Sequence, residues 1–354
     1  MILLHKVKHG GVNTLNLGTD IIDFSSNVNP LGCPIKTINS LKNKLSYLLS
    51  SYPDLYSKHF YEKLSNYIGV SKDKIVAGNG SVEIIYDFCR IFLNSHMRTL
   101  IPIPTFSEYE IASKLQNCKI IFFKSMNLND DLAKFLTKIP KHGCVFICNP
   151  NNPTGVLVKQ KNMLQIIETA QMKSTILFID ECFIELTHDK NESILKYITQ
   201  FNNLFVLRSL TKTFGLAGLR LGYGISNKKM IQTIKKTKVP WHINTLAQHV
   251  TLSVFNKTYL KKTRKLIKKE HIFLQESISK INNFVCYESS TNFILVKTTF
   301  DIKFLQEQLL QQGILIRNCN NFRGLGRNFF RIAIKTHDQN IKLIKSLEVI
   351  SRKH

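Results

Sequence analysis

A chain of 354 residues with 44% hydrophobic content is long enough for two domains and a substantial core, which excludes a disordered or fibrous protein. Its 49 Lys and Arg against 24 Asp and Glu give a formal charge of +25. The basic residues are spread along the chain, as in Lys228-Lys229, Lys235-Lys236, Lys261-Lys262 and Lys268-Lys269, with no recognisable nucleic-acid module, so they read as a lysine-biased composition that suits small anionic substrates rather than nucleic acid.

The first forty residues, with Asn27-Val28-Asn29-Pro30-Leu31-Gly32, read as an irregular arm, and Met1 to Gly11 lacks the apolar stretch of a signal peptide. Short β-branched runs at 74–77, 99–103, 119–123, 143–148, 175–180, 204–209 and 221–226 predict strands, and helical periodicity predicts helices at 82–93, 107–116, 159–172 and a long one within 245–281. That alternation is the pattern of an α/β domain with a mainly parallel sheet. Strands at 292–297 and 329–334 around a helix at 302–311 predict a smaller α+β unit. The expected division is an arm at 1–40 packing with the small domain, a large domain at 41–245 and a small C-terminal domain at 246–354. No apolar run reaches the length of a bilayer span, and the eight cysteines show neither a Cys-x-x-Cys pair nor zinc-like histidine spacing. A cytoplasmic protein without metal or membrane partner is expected.

Four motifs fall at the ends of the predicted strands, where open parallel sheets place ligands. Gly78-Asn79-Gly80-Ser81 opens a helix, and its small residues and free amides suit a phosphate, although a tight turn with a serine cap also accounts for it. Asn149-Pro150-Asn151-Asn152-Pro153-Thr154-Gly155 is a polar loop stiffened by two prolines, able to fix the amide of Asn152 against a ligand. The strand at 175–180 ends in Asp180-Glu181. A carboxylate at the tip of a buried strand needs a partner, and a protonated pyridinium nitrogen is one, while capping of the next segment is the plainer alternative. Lys212 stands in Ser209-Leu210-Thr211-Lys212-Thr213-Phe214-Gly215-Leu216-Ala217-Gly218-Leu219-Arg220, three residues after a serine and ahead of one arginine. That setting suits an amine held still beside an anion, whereas most lysines in so basic a chain are simply solvated.

The order Asn152, Asp180, Lys212, Arg220 resembles the aspartate-aminotransferase superfamily, the fold type I pyridoxal phosphate enzymes, and in particular its histidinol-phosphate aminotransferase branch. The likeness runs from His9-Gly10-Gly11 to about Asn340. Within that branch, His9-Gly10-Gly11, the stretch 23–32 and Ile316-Arg317-Asn318-Cys319-Asn320-Asn321-Phe322-Arg323-Gly324-Leu325 are more similar to the threonine-phosphate decarboxylases. Phe183 points the same way, because aminotransferases of the branch usually carry tyrosine there and the decarboxylases tend to carry phenylalanine.

The resemblance implies pyridoxal 5'-phosphate as cofactor, with Lys212 as its Schiff-base lysine, Asp180 as the partner of its ring nitrogen and Asn152 at its phenolic oxygen. It implies that Gly80, Ser81, Val82, Ser209 and Arg220 hold the cofactor phosphate, and that Tyr109, with Phe106 as the alternative, stacks on the ring. Tyr52 would reach the neighbouring active site of a homodimer. Arg331 would meet the substrate α-carboxylate, and His9, Asn29, Arg323 and Arg317 are candidates for a substrate phosphate, with Arg323 favoured for its Asn-rich loop. The implied reaction is decarboxylation of L-threonine O-3-phosphate to (R)-1-amino-2-propanol O-phosphate for the corrinoid (cobalamin) nucleotide loop. L-Serine O-phosphate is a second possible phospho-amino acid substrate, and histidinol-phosphate transamination is the alternative reaction.

Overall fold

The computed structural model describes residues 10–11, 20–187 and 192–353, so His9 lies outside the described residues. After β1 (Ile22–Asp23) come β2 (Ile75–Asn79), β3 (Arg98–Ile103), β4 (Lys119–Lys124), β5 (Cys144–Cys148), β6 (Ile176–Asp180), β7 (Leu204–Ser209) and β8 (Leu221–Ile225). Strands β2 to β8 form one sheet in the order β2-β8-β7-β6-β5-β3-β4. Only β8 runs antiparallel to its neighbours.

The central strands are nearly continuous apolar runs because both faces of the sheet are covered. Phe146, Phe178 and Phe205 are register neighbours on β5, β6 and β7, and they share one face with Phe88 of the helix Ser81–Phe92. Phe178 lies 5.0 Å from Phe146, 5.1 Å from Phe205 and 4.7 Å from Phe88, centroid to centroid. Alternation sends Val145, Ile147, Leu177, Ile179, Leu204 and Val206 to the opposite core, shared with the helix Gln160–Met172. The sheet is thus held flat against two cores, and its carboxyl rim presents Cys148, Asp180 and Ser209 side by side.

The C-terminal strands are β9 (Phe284–Cys286), β10 (Phe293–Thr298), β11 (Ile314–Leu315), β12 (Arg317–Asn318) and β13 (Phe329–Ala333). Four of them make an antiparallel sheet in the order β12-β13-β10-β9. Strand β11 instead pairs in parallel with β1, tying the N-terminal segment to this unit through Ile22 opposite Ile314. Helix Lys257–Ser279 joins helix His337–Lys353 through buried Glu270, which accepts from Asn340 Nδ2 at 2.9 Å and meets His337 Nδ1 at 3.1 Å.

The long helix expected within 245–281 is Lys257–Ser279, preceded by the short helix Thr245–Val250. Asn244 and Asn256 cap them, their side chains accepting from Ala247 N at 2.8 Å and Tyr259 N at 2.9 Å. Such caps were legible as asparagines ahead of periodic segments. The expected irregular arm gives way at Ile35–Ser50 to a helix, and the helices Lys58–Ile68 and His337–Lys353 were not anticipated. Among the described residues, no helix is long and apolar enough to cross a membrane.

Candidate active site

The rim of β5, β6 and β7 opens into a cavity of about 300 Å³, roofed by Ser25, Ser26 and Asn27 from one side and by Arg317, Phe322 and Arg331 from the other. That volume suits a small ligand.

One corner is an anion cradle. After β2 the chain turns at Gly80 with φ 85° and ψ 161°, a conformation essentially reserved for glycine, and then enters the helix Ser81–Phe92 with its first amides free. Opposite, Ser209 occupies the N-cap position of the one-turn helix Leu210–Thr213 without a side-chain capping bond, and Arg220 holds its guanidinium on the Ala217 carbonyl at 3.3 Å. A Cβ on Gly80 would lie 2.5 Å from Arg220 Nη2, so the bare backbone lets the guanidinium reach the cradle. Ser81, Val82, Ser209, Thr211 and Arg220 all line the cavity here. Gly80→Ala is therefore expected to lower stability by about 1–3 kcal/mol and to weaken phosphate binding, read from the urea midpoint and from a cofactor titration. Unchanged values for both would show that neither the turn nor the arginine needs the glycine.

Asp180 forms the floor, buried at the tip of β6. Its Oδ2 accepts from Tyr109 Oη at 2.6 Å and its Oδ1 from Cys182 N at 2.9 Å. Burial pushes the carboxyl above its ordinary range, while those donors draw it back. Lys212 faces the same space, and its amine is held down to about 8, chiefly by burial and then by the nearby positive charge of Arg331, with Arg220 adding to it. A carboxylate bonded only by neutral donors, an amine easily deprotonated and an anion cradle together fit a cationic ring nitrogen, an aldehyde and a phosphate. The donor set therefore fits the cofactor that the sequence resemblance implies.

The wall bearing Asn152 is rigid. Asn149 Oδ1 accepts from Val158 N at 2.8 Å, and Asn151 donates to the Pro104 carbonyl at 2.9 Å and accepts from Thr105 Oγ1 at 2.7 Å. Gly155, at φ 76°, has no Cβ to collide with Ser289 of the C-terminal unit. Asn152 is left facing the cavity, where its Oδ1 accepts from Arg331 Nη1.

Arg331 and Arg317 are cross-strand partners on β13 and β12, and both line the cavity. Arg331 donates to the Ser25 carbonyl at 2.8 Å, and among the described residues its Nε finds no hydrogen-bond partner. Arg317 donates to Asn321 Oδ1 at 3.0 Å and lies 5.4 Å over the Phe322 ring. Both are buried, and among the described residues no carboxylate stands within ion-pair distance of either. Burial, with a further contribution from the neighbouring Arg317, brings Arg331 down to about 10.

Four of the expected site residues do not line this cavity. Tyr109 does not present a ring to the cavity: it is fully buried, stacked on Phe146 at 5.2 Å, and spends its hydroxyl on Asp180. Phe106, three residues earlier, is the aromatic ring of that segment that lines the cavity. Arg323 is half exposed and outside the cavity, its fork closed on Glu110 at 2.9 and 2.8 Å. Asn29 braces the lysine turn from behind, donating to the Thr213 carbonyl at 2.7 Å and to Thr263 at 3.1 Å, while its backbone amide donates to the Lys212 carbonyl. Tyr52 lies apart from the cavity of its own chain, 84% exposed and 5.3 Å from the Trp241 ring. Ser81, Val82, Asn152, Asp180, Ser209, Lys212, Arg220 and Arg331 do meet in the cavity, with Gly80 directly beside it.

Sequence reasoning passed over Asn27 and Cys182 as cavity residues. Asn27 is buried, its Oδ1 lacks a partner among the described residues, and its sequence signal was its place two residues before Asn29. Cys182 lies two residues after Asp180, with a thiol pushed well up by burial. Phe183 also lines the cavity, edge-on to Phe293 at 5.1 Å, and brings no hydroxyl.

The family model for aminotransferase class I and II matches residues 19–347. A protein of Caldanaerobacter subterraneus subsp. tengcongensis named "Putative threonine-phosphate decarboxylase" is 36% identical over 346 residues, covering 96% of this chain and 93% of its own. A histidinol-phosphate aminotransferase of the same organism is 33% identical over 334 residues, 92% of each chain. The crystal structure of the histidinol-phosphate aminotransferase from Clostridium acetobutylicum matches with a TM-score of 0.84 and 32% identity, over 94% of this chain and 99% of that one.

Proposed function

We propose, from the premise that this chain belongs to the class I and II aminotransferase family, that it is a pyridoxal 5'-phosphate enzyme that decarboxylates an O-phospho-amino acid. The preferred substrate is L-threonine O-3-phosphate, giving (R)-1-amino-2-propanol O-phosphate, the building block of a corrinoid nucleotide loop. The observation that carries this reading is the Arg317–Arg331 pair: two buried guanidiniums, cross-strand neighbours with no ion-paired carboxylate among the described residues, call for a substrate with two anionic groups. Phe183 favours decarboxylation within the family, since it offers no hydroxyl to the cofactor.

When bound, the cofactor supplies an electron sink for the bond that breaks at the substrate α-carbon. Lys212 would hold it covalently, Asp180 would take its ring nitrogen, and Ser81, Val82, Ser209 and Arg220 its phosphate. Phe106 would cover the ring, and Asn152 would reach its phenolic oxygen. Arg331 would bind the substrate carboxylate and Arg317 the phosphate, the role expected of Arg323. Anchoring both ends fixes rotation about the α-carbon, so that remote binding energy chooses which bond stands ready to break. As the carboxylate leaves as carbon dioxide, the Lys212 ammonium would deliver a proton to the α-carbon in its place.

Ile35, Tyr47, Leu49, Tyr52, Tyr56, Val239 and Trp241 are all exposed large apolar side chains. Among them the Tyr52 and Trp241 rings lie 5.3 Å apart, and a second copy of the chain would cover this pair, with Tyr52 reaching the partner's cofactor phosphate.

A second reading, histidinol-phosphate transamination, is supported by the relatives of that name at 33% and 32% identity. The test is to supply cofactor with L-threonine O-3-phosphate, with L-serine O-phosphate, and with histidinol phosphate plus 2-oxoglutarate, measuring carbon dioxide and glutamate. Carbon dioxide from the threonine ester is expected, with the serine ester poorer by about 10- to 200-fold for its missing methyl. Glutamate without carbon dioxide would overturn the decarboxylase reading in favour of the aminotransferase.

A further inference from the structure

Tyr109 sits on the helix Glu108–Lys114, where nothing in a cofactor-stacking role would require its hydroxyl. Its ring is fully buried, parallel to Phe146 at 5.2 Å and edge-on to Phe106 at 5.7 Å. Phe146 in turn abuts Phe178 at 5.0 Å, so the phenol is clamped by the aromatic layer beneath the sheet rim. From that fixed position the hydroxyl donates to Asp180 Oδ2 at 2.6 Å, while the Cys182 amide donates to Oδ1 at 2.9 Å. The Tyr109 hydroxyl and the Cys182 amide thus hold one carboxylate oxygen each, the Cys182 thiol also bonds the carboxylate, and Asp180 lines the cavity with its remaining acceptor capacity.

We propose that Tyr109 is a positioning residue, whose buried hydroxyl holds the Asp180 carboxylate aimed at the cavity so that it can grip the ring nitrogen of the cofactor. The inference rests on the reading that Asp180 takes that nitrogen. A neutral donor is the right device for the task. A lysine or arginine in its place would pair with Asp180 and cancel the charge that the ring needs. A phenol bonds the carboxylate without neutralising it, and burial and the facing carboxylate hold Tyr109 itself far above its ordinary range, so it stays a donor at every working pH. Burial favours protonation of Asp180, and the Tyr109 hydrogen bond is one of the contributions that oppose it.

The test is a double-mutant cycle on the cofactor dissociation constant, read from the visible absorbance of the bound cofactor, with thermal melting as a control for folding. Tyr109→Phe keeps the clamped ring and removes only the donor. It is expected to weaken cofactor binding about 10- to 100-fold, the range for a hydrogen bond to a charged group, with the melting temperature little changed. In an Asp180→Asn background, where no charge remains to be held, the same substitution is expected to cost less than about threefold. A loss of equal size in both backgrounds, or no loss in either, would overturn the role. If the unsubstituted protein takes up no cofactor, the cofactor reading itself fails, an outcome the cycle keeps separate.

Discussion

Lys212→Ala is expected to yield a folded protein that binds pyridoxal phosphate reversibly, shows none of the absorbance of a lysine-bonded cofactor, and turns over substrate at least about 10²- to 10⁴-fold more slowly from the lost proton transfer alone. The structure supplies the reason in the cavity around the amine. Burial and the positive charges of Arg331 and Arg220 bring it down to about 8. Roughly one amine in ten is then neutral at pH 7, against fewer than about one in a thousand for an ordinary lysine. Only the neutral amine attacks an aldehyde. Because the group's value is lowered, the reactive form grows as pH rises: cofactor uptake by the cofactor-free protein should speed up from pH 6 to 8 and level off above that. Stopped-flow absorbance across that range checks both points. A pH-independent uptake, or an alanine variant with wild-type absorbance, would remove Lys212 from the chemistry.

Arg317→Leu is expected to cost about 2–5 kcal/mol in kcat/KM, as the loss of one partner of a buried charged contact does. The same substitution should raise the melting temperature of the cofactor-free protein. Two buried guanidiniums on facing positions of β12 and β13 repel each other, and no carboxylate among the described residues makes an ion pair with either. Removing one lets Arg331 return toward its ordinary range and replaces a desolvated cation with an apolar side chain. Stability is here the cost of a waiting anion site. Arg323→Leu makes the contrast, since its ion pair with Glu110 lies at the surface and is worth about 0–1 kcal/mol. Steady-state kinetics of the two variants, with melting curves, decide the matter, and a larger loss at Arg323 would move the distal anion out of the cavity.

These two residues also show how far the sequence could be read. The cavity residues carried by the main sheet were legible because most of them end a strand or start the element after it. Asp180 follows from an apolar run that stops at an acid, and Ser81 from a glycine turn ahead of a helix. The substrate side depends on pairing between distant segments. Arg317 and Arg323 stand six apart in one Asn-rich loop, and only the register of β12 against β13 sends the first inward and leaves the second to Glu110. Phe106 and Tyr109 pose the same problem at one helical turn, where periodicity cannot say which ring faces the cavity and which is clamped behind it. Asn29 was hidden for another reason, since its partners Thr213 and Thr263 lie 184 and 234 residues away.

Trp241, the chain's single tryptophan, sits half exposed beside Tyr52, and neither lines the cavity. That placement gives the protein a built-in optical probe of association. If the proposed second copy covers this pair, the Trp241 emission is expected to shift to the blue, while cofactor uptake is read from the cofactor's own visible absorbance. Assembly and ligand uptake can therefore be followed in one cuvette, at separate wavelengths, with no label attached.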